Sequence, residues 1–255
     1  KNEEEKIIDD AIGSKVSDYL IKPVNPNQIL HSLKKTLNQR ILISEKASDQ
    51  YQKDFKKLSL DILSASSFLN WVELYKKFIY WKIELMELEN NSMLNILENQ
   101  LKEANLVFGK FIKENYLSWI NSKDNSPTLS HNVFKNKIIP HLKKSSPTLL
   151  ILIDNLRFDQ WKIIEPLVSK YYNVQQEDLY CSILPTTTQY SRNSFFAGLT
   201  PNEIKNKFPD LWIDDFYKGN KNKHEKELLS KHLEKLNIKT ESKYFKITSL
   251  IDAKR

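Results

Sequence analysis

Glycine is scarce in this sequence, four in 255 residues, and neither GxGxxG nor GxxxxGKS occurs. That excludes the common glycine-rich cradles for dinucleotides and nucleoside triphosphates. One cysteine, Cys181, excludes an internal disulfide and a cysteine-based zinc site, and it suits a reducing cytoplasm. No stretch approaches the about 20 consecutive apolar residues that a membrane span needs, so no membrane partner is expected. No helix-turn-helix recognition helix is evident, which disfavours a standard DNA-binding output. The opening KNEEEKIIDDAIG has neither a Met nor a signal peptide and enters directly into a charged amphipathic pattern, so the expectation is a piece of a longer chain.

What remains is an ordinary globular composition, 40% hydrophobic and 28% charged, with length enough for one large or two modest domains. The net charge of +7 comes from lysines scattered along the chain, densest at KGNKNKHEK (218–226). Arginines and aromatics are not interleaved there as in a nucleic-acid footprint, so the lysines read first as solvated surface. A general attraction for phosphate-bearing substrates is the alternative.

The pattern divides into three regions. In residues 1–38 a helix over 3–12, with Ile7, Ile8, Ala11 and Ile12 on one face, ends at Gly13, and Ser17–Ile21 is a short apolar strand. After Lys22-Pro23, Asn25 can cap a helix that has Pro26 at its first position and Ile29, Leu30, Leu33 and Leu37 as its apolar stripe. That stripe is expected to pack on the helices that follow, since exposed it would be a sticky patch. Residues 39–146 repeat apolar positions at helical spacing, from Leu58 and Ile62 through Leu97 and Leu101, which predicts an antiparallel helical bundle. Ser67 or Asn70, Asn90-Asn91 and NSKDNSPT (121–128) supply its breaks. Trp71, Tyr75, Trp81 and Trp119 read as packing residues, and His131 and His141, with no second ligand at helical spacing, as surface residues.

Residues 147–255 change texture to α/β. LLILID (149–154) predicts a strand buried on both faces, a helix is expected from Phe158 to Tyr172, a second strand from Glu177 to Leu184, and a second helix from about Thr188 to Gly198. Asp154 then falls at the carboxyl end of its strand, where ligand and metal sites of open α/β sheets collect. Thr186, Thr187 and Thr188 follow Pro185 at a helix start, where the macrodipole and free N–H groups favour an alkoxide and a bound phosphate. Thr186 is the better-placed cap among them, Thr187 the alternative cap, and all three serving only structure is the bland reading. Arg157 could pair with Asp159, and an exposed Arg192 would ordinarily be only solvated.

Two segments resemble known families. DYLIKPVNPNQIL (18–30) is similar to the last strand and helix of response-regulator receiver domains. That likeness implies that Lys22 is the lysine that contacts the phosphoryl group and that the peptide before Pro23 is cis. The acceptor aspartate belongs to strands this sequence does not contain. LLILID together with LPTTTQYSRNSFFAGLTP (184–201) resembles the alkaline phosphatase superfamily, with wording nearest to PglZ domains. The order of receiver remnant, helical bundle and PglZ domain is similar to PorX-type response regulators of Bacteroidetes, associated with type IX protein secretion.

The resemblance implies a PglZ (alkaline phosphatase-like) α/β partial domain over 147–255, preceded by the bundle over 39–146 and the receiver remnant over 1–38. It makes Asp154 a metal ligand, and Thr188 both nucleophile and metal ligand. Arg192 and Asn193 become residues that hold phosphate oxygens. Two Zn2+ ions serve the complete domain, with threonine attacking phosphorus and water releasing it. The later Asp-His pair that zinc needs is absent, and His224 and His232 match neither the pattern nor a shared short turn. The implied function is a cytoplasmic two-component response regulator whose output is a zinc-dependent phosphodiesterase or phosphatase, acting on nucleotide-like phosphate esters. Its implied partners are a cognate histidine kinase, a second copy in a homodimer, and a sigma factor. The alternative is a non-catalytic signalling module that uses the PglZ fold for dimerisation and partner docking.

Overall fold

The computed structural model describes residues 20, 22–121, 126–142, 146–239, 241–247 and 249–253. The expected helix over 3–12 and the expected strand Ser17–Ile21 lie outside these, Leu20 apart. The chain divides into two compact units, residues 1–112 and 113–255.

The first unit is built of helices joined by short turns. Helix α1 spans Pro26–Ser64, and Asn25 caps it as the sequence indicates: its side chain accepts from the Asn27 backbone N–H at 2.7 Å, while the Gln28 side chain accepts from Asn25 N–H at 3.0 Å. The helix runs through residue 38 without a break. The Lys22–Pro23 peptide is cis. Helix α2 (Phe68–Glu87) is capped by Ser67 in a reciprocal box with Asn70. Helix α3 (Asn91–Asn121) follows a tight turn at Leu88–Asn90.

Tyr51, Leu58, Ile62, Trp71, Leu74, Phe78, Trp81, Leu85, Leu97 and Phe111 form the core of this unit. Trp71 and Trp81 are buried as packing residues, Trp71 against Phe108 and Phe111, and Trp81 against Tyr51; Tyr75 is exposed. One polar side chain joins the core: Gln100 donates to Phe55 O and Ser59 Oγ at 2.9 Å, which satisfies its buried amide. The stripe Ile29, Leu30, Leu33 and Leu37 is exposed, contrary to the packing expected of it. It lies on the first turns of α1, ahead of Tyr51, the first of the core residues in the chain.

The second unit corrects the α/β expectation. Among the described residues no strand forms; one isolated parallel bridge joins Leu129 to Cys181. Leu149, Leu150, Ile151 and Ile153 are exposed, whereas Leu152 packs against the core. The segment 149–154 therefore buries Leu152 and neither whole face, since no neighbouring strand pairs with it among the described residues. Burial of both faces was inferred from an apolar run alone, which cannot report whether partner strands are present.

A short helix α4 (Ser130–Val133) continues as a π turn and a 3-10 turn to His141. Helix α5 (Phe158–Val168) ends before the expected Tyr172. Helix α6 (Thr188–Ala197) packs against α4 and against α8 (Glu225–Lys235), and α7 (Pro201–Lys207) is capped by Thr200. Val133, Phe134, Phe195, Phe196, Ala197, Leu199, Ile204, Leu228 and Leu233 are the shared core.

Gly198 ends α6 at φ +59°, and a Cβ there would lie 2.1 Å from His232 Nε2. Glycine is required on both counts. His232 is buried; its Nδ1 sits 3.1 Å from the Phe196 carbonyl oxygen, so the proton is on Nδ1. Burial holds its pKa below the usual histidine value, the Phe196 bond opposing and nearby Lys235 adding to the effect. His131, expected at the surface, is half-buried with its pKa lowered by burial, while His141 is exposed.

Candidate functional site

The site is organised on α6. Pro185, preceded by a cis peptide, and the two threonines after it bring the chain to the helix, and Thr187, rather than Thr186, takes the N-cap position. Its side chain makes no capping hydrogen bond. The first backbone N–H groups of α6 therefore keep their capacity for an external acceptor. Thr188 is the first helical residue and is exposed.

An open cleft of about 560 Å³ lies at this end, lined by Thr187, Thr188, Tyr190, Asp215, Lys221 and Asn222, among others. Its far wall is the loop 213–222, tied to α6 by side chains that α6 turns toward it. Gln189 Nε2 donates to Ile213 O at 2.7 Å and Asn193 Nδ2 to Lys221 O at 3.2 Å. In return Asn222 Nδ2 donates to Asn193 Oδ1 at 3.1 Å and to Thr188 O at 3.3 Å. Tyr190 OH donates to Asp215 Oδ2 at 2.6 Å, and this bond, more than burial, raises the tyrosine's pKa. Tyr190 also stacks on Trp212.

Arg192 stands one turn after Thr188, and residues four apart share a helix face, so both lie on the same side of α6. The guanidinium bridges two carboxylates. Nη1 donates to Asp154 Oδ2 at 3.2 Å and Nη2 to Glu225 Oε2 at 2.7 Å. Burial works against its charge, but Glu225 and Asp154 outweigh burial and raise its pKa further. Asp154 lies two residues past the inward-packed Leu152 and just before Asn155, whose φ of +59° turns the chain.

Of the residues singled out in the sequence, Thr188 and Arg192 share one face of α6, and Asp154 pairs with Arg192. Asn193 is 1% exposed, and its amide is engaged by the loop rather than facing the cleft. Arg157 is the partner of Asp159, at 3.0 and 3.3 Å. Lys22 and Pro23 lie in the other unit.

Glu225, Tyr244, Lys246, Lys221, Asn222 and Asp215 were not singled out from the sequence. They sit in the lysine-rich stretch and beyond, where no spacing marks them. The excess of turn-forming Asn and Gly in 219–222 was the available signal for an ordered loop.

No three His, Cys, Asp or Glu side chains gather into a metal-holding group among the described residues. Zinc takes three or four protein ligands, so Asp154 and Thr188 alone do not make a zinc site, and Asp154 already carries Arg192. The described residues do not fit the ion by themselves.

Residues 41–120 match the PorX response regulator linker domain, and residues 133–254 match the BREX system PglZ alkaline phosphatase-like domain. No curated protein matches the chain. The two matched regions, in this order, are those of a PorX-type regulator with a PglZ domain. No helix among the described residues is long and apolar enough to cross a membrane.

Proposed function

We propose that this PorX-type regulator with a PglZ domain hydrolyses phosphate esters, with Thr188 as the nucleophile. The single observation that carries the reading is the uncapped N-terminus of α6, opening with the exposed Thr188 on a cleft, with Arg192 one turn behind it on the same face. A phosphate group at such an end meets backbone N–H donors and the positive end of the helix dipole.

The Thr188 Oγ1 forms a bond to phosphorus as the ester P–O bond breaks, the leaving oxygen taking up a proton; water then breaks the Thr–O–P bond and restores the hydroxyl. Arg192 supplies charge for the phosphoryl oxygens, as its fork has N–H groups beyond the two bonds it makes. Asn193 acts by holding the Lys221–Asn222 wall of the cleft. Zinc ions, which the alkaline phosphatase likeness implies, would need ligands besides Asp154 and Thr188, so no step here passes through them. We extend the reading to a cytoplasmic response regulator of type IX secretion. It would answer to a histidine kinase that phosphorylates a receiver aspartate, whose phosphoryl group Lys22, ahead of Pro23, would contact, and act as a homodimer with a sigma factor among its partners.

The test is turnover of bis(p-nitrophenyl) phosphate by the full-length protein supplied with zinc. Thr188→Val deletes one oxygen at constant shape and is expected to lower kcat by several orders of magnitude, while Thr187→Val keeps most of it. Near-normal turnover by Thr188→Val would refute the nucleophile. A second reading, a docking module without catalysis, draws on the Arg192–Asp154 pair, which neutralises the carboxylate that the resemblance offers to a metal. Absence of turnover in the zinc-supplied wild type would favour it.

A further inference from the structure

Glu225 has no part in the steps above, yet it is the most deeply placed charge near the cleft. It is 1% exposed, and three donors converge on its Oε2: Arg192 Nη2 at 2.7 Å, Tyr244 OH at 2.7 Å and Lys246 Nζ at 3.3 Å. A carboxylate taken out of water is costly unless paired and hydrogen-bonded, and here the charges balance, two cations facing the two carboxylates Glu225 and Asp154, although all three bonds fall on Glu225 Oε2 and its buried Oε1 has no partner. The arrangement is also directional. The planar fork of Arg192 is held at its Nη2 end by a buried anion, and its Nη1 end reaches Asp154, whose side chain is 44% exposed. The buried end is the fixed one.

Tyr244 and Lys246 fix that end in turn. Burial, reinforced by the bond to Glu225, pushes the tyrosine's pKa up to about 12, so it stays a donor. Lys246 Nζ also donates to Asn222 O at 2.9 Å, and Asn222 lines the cleft and holds Thr188 O. One cluster therefore ties α8 and the segment 241–247 both to Arg192 and to the cleft wall.

We propose that Glu225 is a positioning residue: it holds Arg192 so that the guanidinium presents its positive charge to a phosphoryl group at Thr188. The inference rests on the phosphate-ester reading of the cleft. Without Glu225 the guanidinium keeps only its exposed partner and swings with it. The alternative is that Glu225 merely balances buried charge and stabilises the fold.

Three readouts on full-length, zinc-supplied protein separate these. The first is the side-chain Nε–H resonance of Arg192, whose buried Nε is expected to be shielded from solvent exchange in the folded protein. Glu225→Gln is expected to erase it. The second is the split of kinetic constants: kcat for the chromogenic diester falls about tenfold or more while KM moves less than about twofold, the mark of an interaction aligned for the transition state. The third is the Arg192→Met background, where Glu225→Gln is expected to cause no further loss of kcat, because the group it positions is gone. That double variant also removes both charges of the pair together, so no buried carboxylate is left without its arginine partner, as it is in the single Arg192→Met change.

Leu228→Ala is the control, a cavity at a fully buried position of the same helix that should lower stability and leave the Arg192 resonance and the kinetic split untouched. If Glu225→Gln does not fold, Glu225→Asp, which withdraws the same charge by one methylene, is read in its place. The inference is overturned if the Glu225 variant behaves like Leu228→Ala, or if its effect adds in full to that of Arg192→Met. Failure of the underlying reading looks different: Thr188→Val then keeps its turnover, whatever the Arg192 resonance does.

Discussion

Replacing Gly198 by alanine probes the packing that holds α6 against α8, and its cost can be worked from two separate distortions. The residue sits at φ +59°, where a Cβ crowds the following carbonyl at roughly 1–2 kcal/mol. The new methyl would also lie 2.1 Å from His232 Nε2, 2.3 Å from Cε1 and 2.6 Å from Cδ2, so the ring or the helix must move. The imidazole cannot swing freely, because its Nδ1 is held by Phe196 O and Phe134 packs on its face. Overpacking of this kind costs about 1–3 kcal/mol. Gly198→Ala should therefore destabilise the second unit by about 2–5 kcal/mol, read as a lower urea midpoint and a Tm lower by roughly 5–15 °C. In a His232→Ala background the clash disappears, and the same change should cost only the backbone share of about 1–2 kcal/mol. A loss below about 1 kcal/mol in the wild-type background, or an equal loss in both backgrounds, would refute the reasoning.

Ser130→Ala removes the Oγ that accepts the buried Ile183 N–H at 3.0 Å, and a loss of about 1–3 kcal/mol in urea unfolding is expected; no loss would mean water replaces it. Arg192→Met leaves Glu225 with Tyr244 and Lys246 only, so a loss near 3 kcal/mol, roughly the low end for breaking a buried pair, should appear in the same assay, and a neutral result would contradict the ion-pair account. His232 has a folded pKa below its unfolded value of about 6.5, so the unfolded chain binds more protons as acid is added. Its contribution is present above that pH and is lost as pH falls below it, and His232→Asn should flatten the stability slope on the acid side of about pH 6.5; an unchanged slope would remove His232 from the acid response.

Much of the helical framework was legible because its signals are local. Asn25 with Pro26, Ser67 with Asn70, and Gly198 after α6 are caps and stops whose chemistry acts within four residues, and all are used. Trp71 and Trp81 fall on buried faces because helical periodicity reports burial directly. Leu149 to Ile153 misled, since an apolar run shows a wish for burial but not whether both faces find partners. Of the two candidate caps in the TTT run, Thr187 and not the favoured Thr186 takes the position, a one-residue difference that the run itself does not decide. The links that build the site were beyond local reading: Arg192 meets Asp154 across 38 positions and Glu225 across 33, and such pairs leave no spacing in the sequence. Glu225 sits among lysines and looks like one more surface charge until α8 packs on α6.

The central claim, that the Thr188 hydroxyl is the atom that attacks phosphorus, is tested most directly by trapping the intermediate. The full-length protein, supplied with zinc and bis(p-nitrophenyl) phosphate, is quenched in acid during turnover and mapped by peptide mass spectrometry. The account predicts a phosphoryl-ester adduct on Thr188 that is absent from Thr188→Val. An adduct on Thr186 or Thr187, or steady turnover by Thr188→Val with no adduct on any threonine, would contradict it.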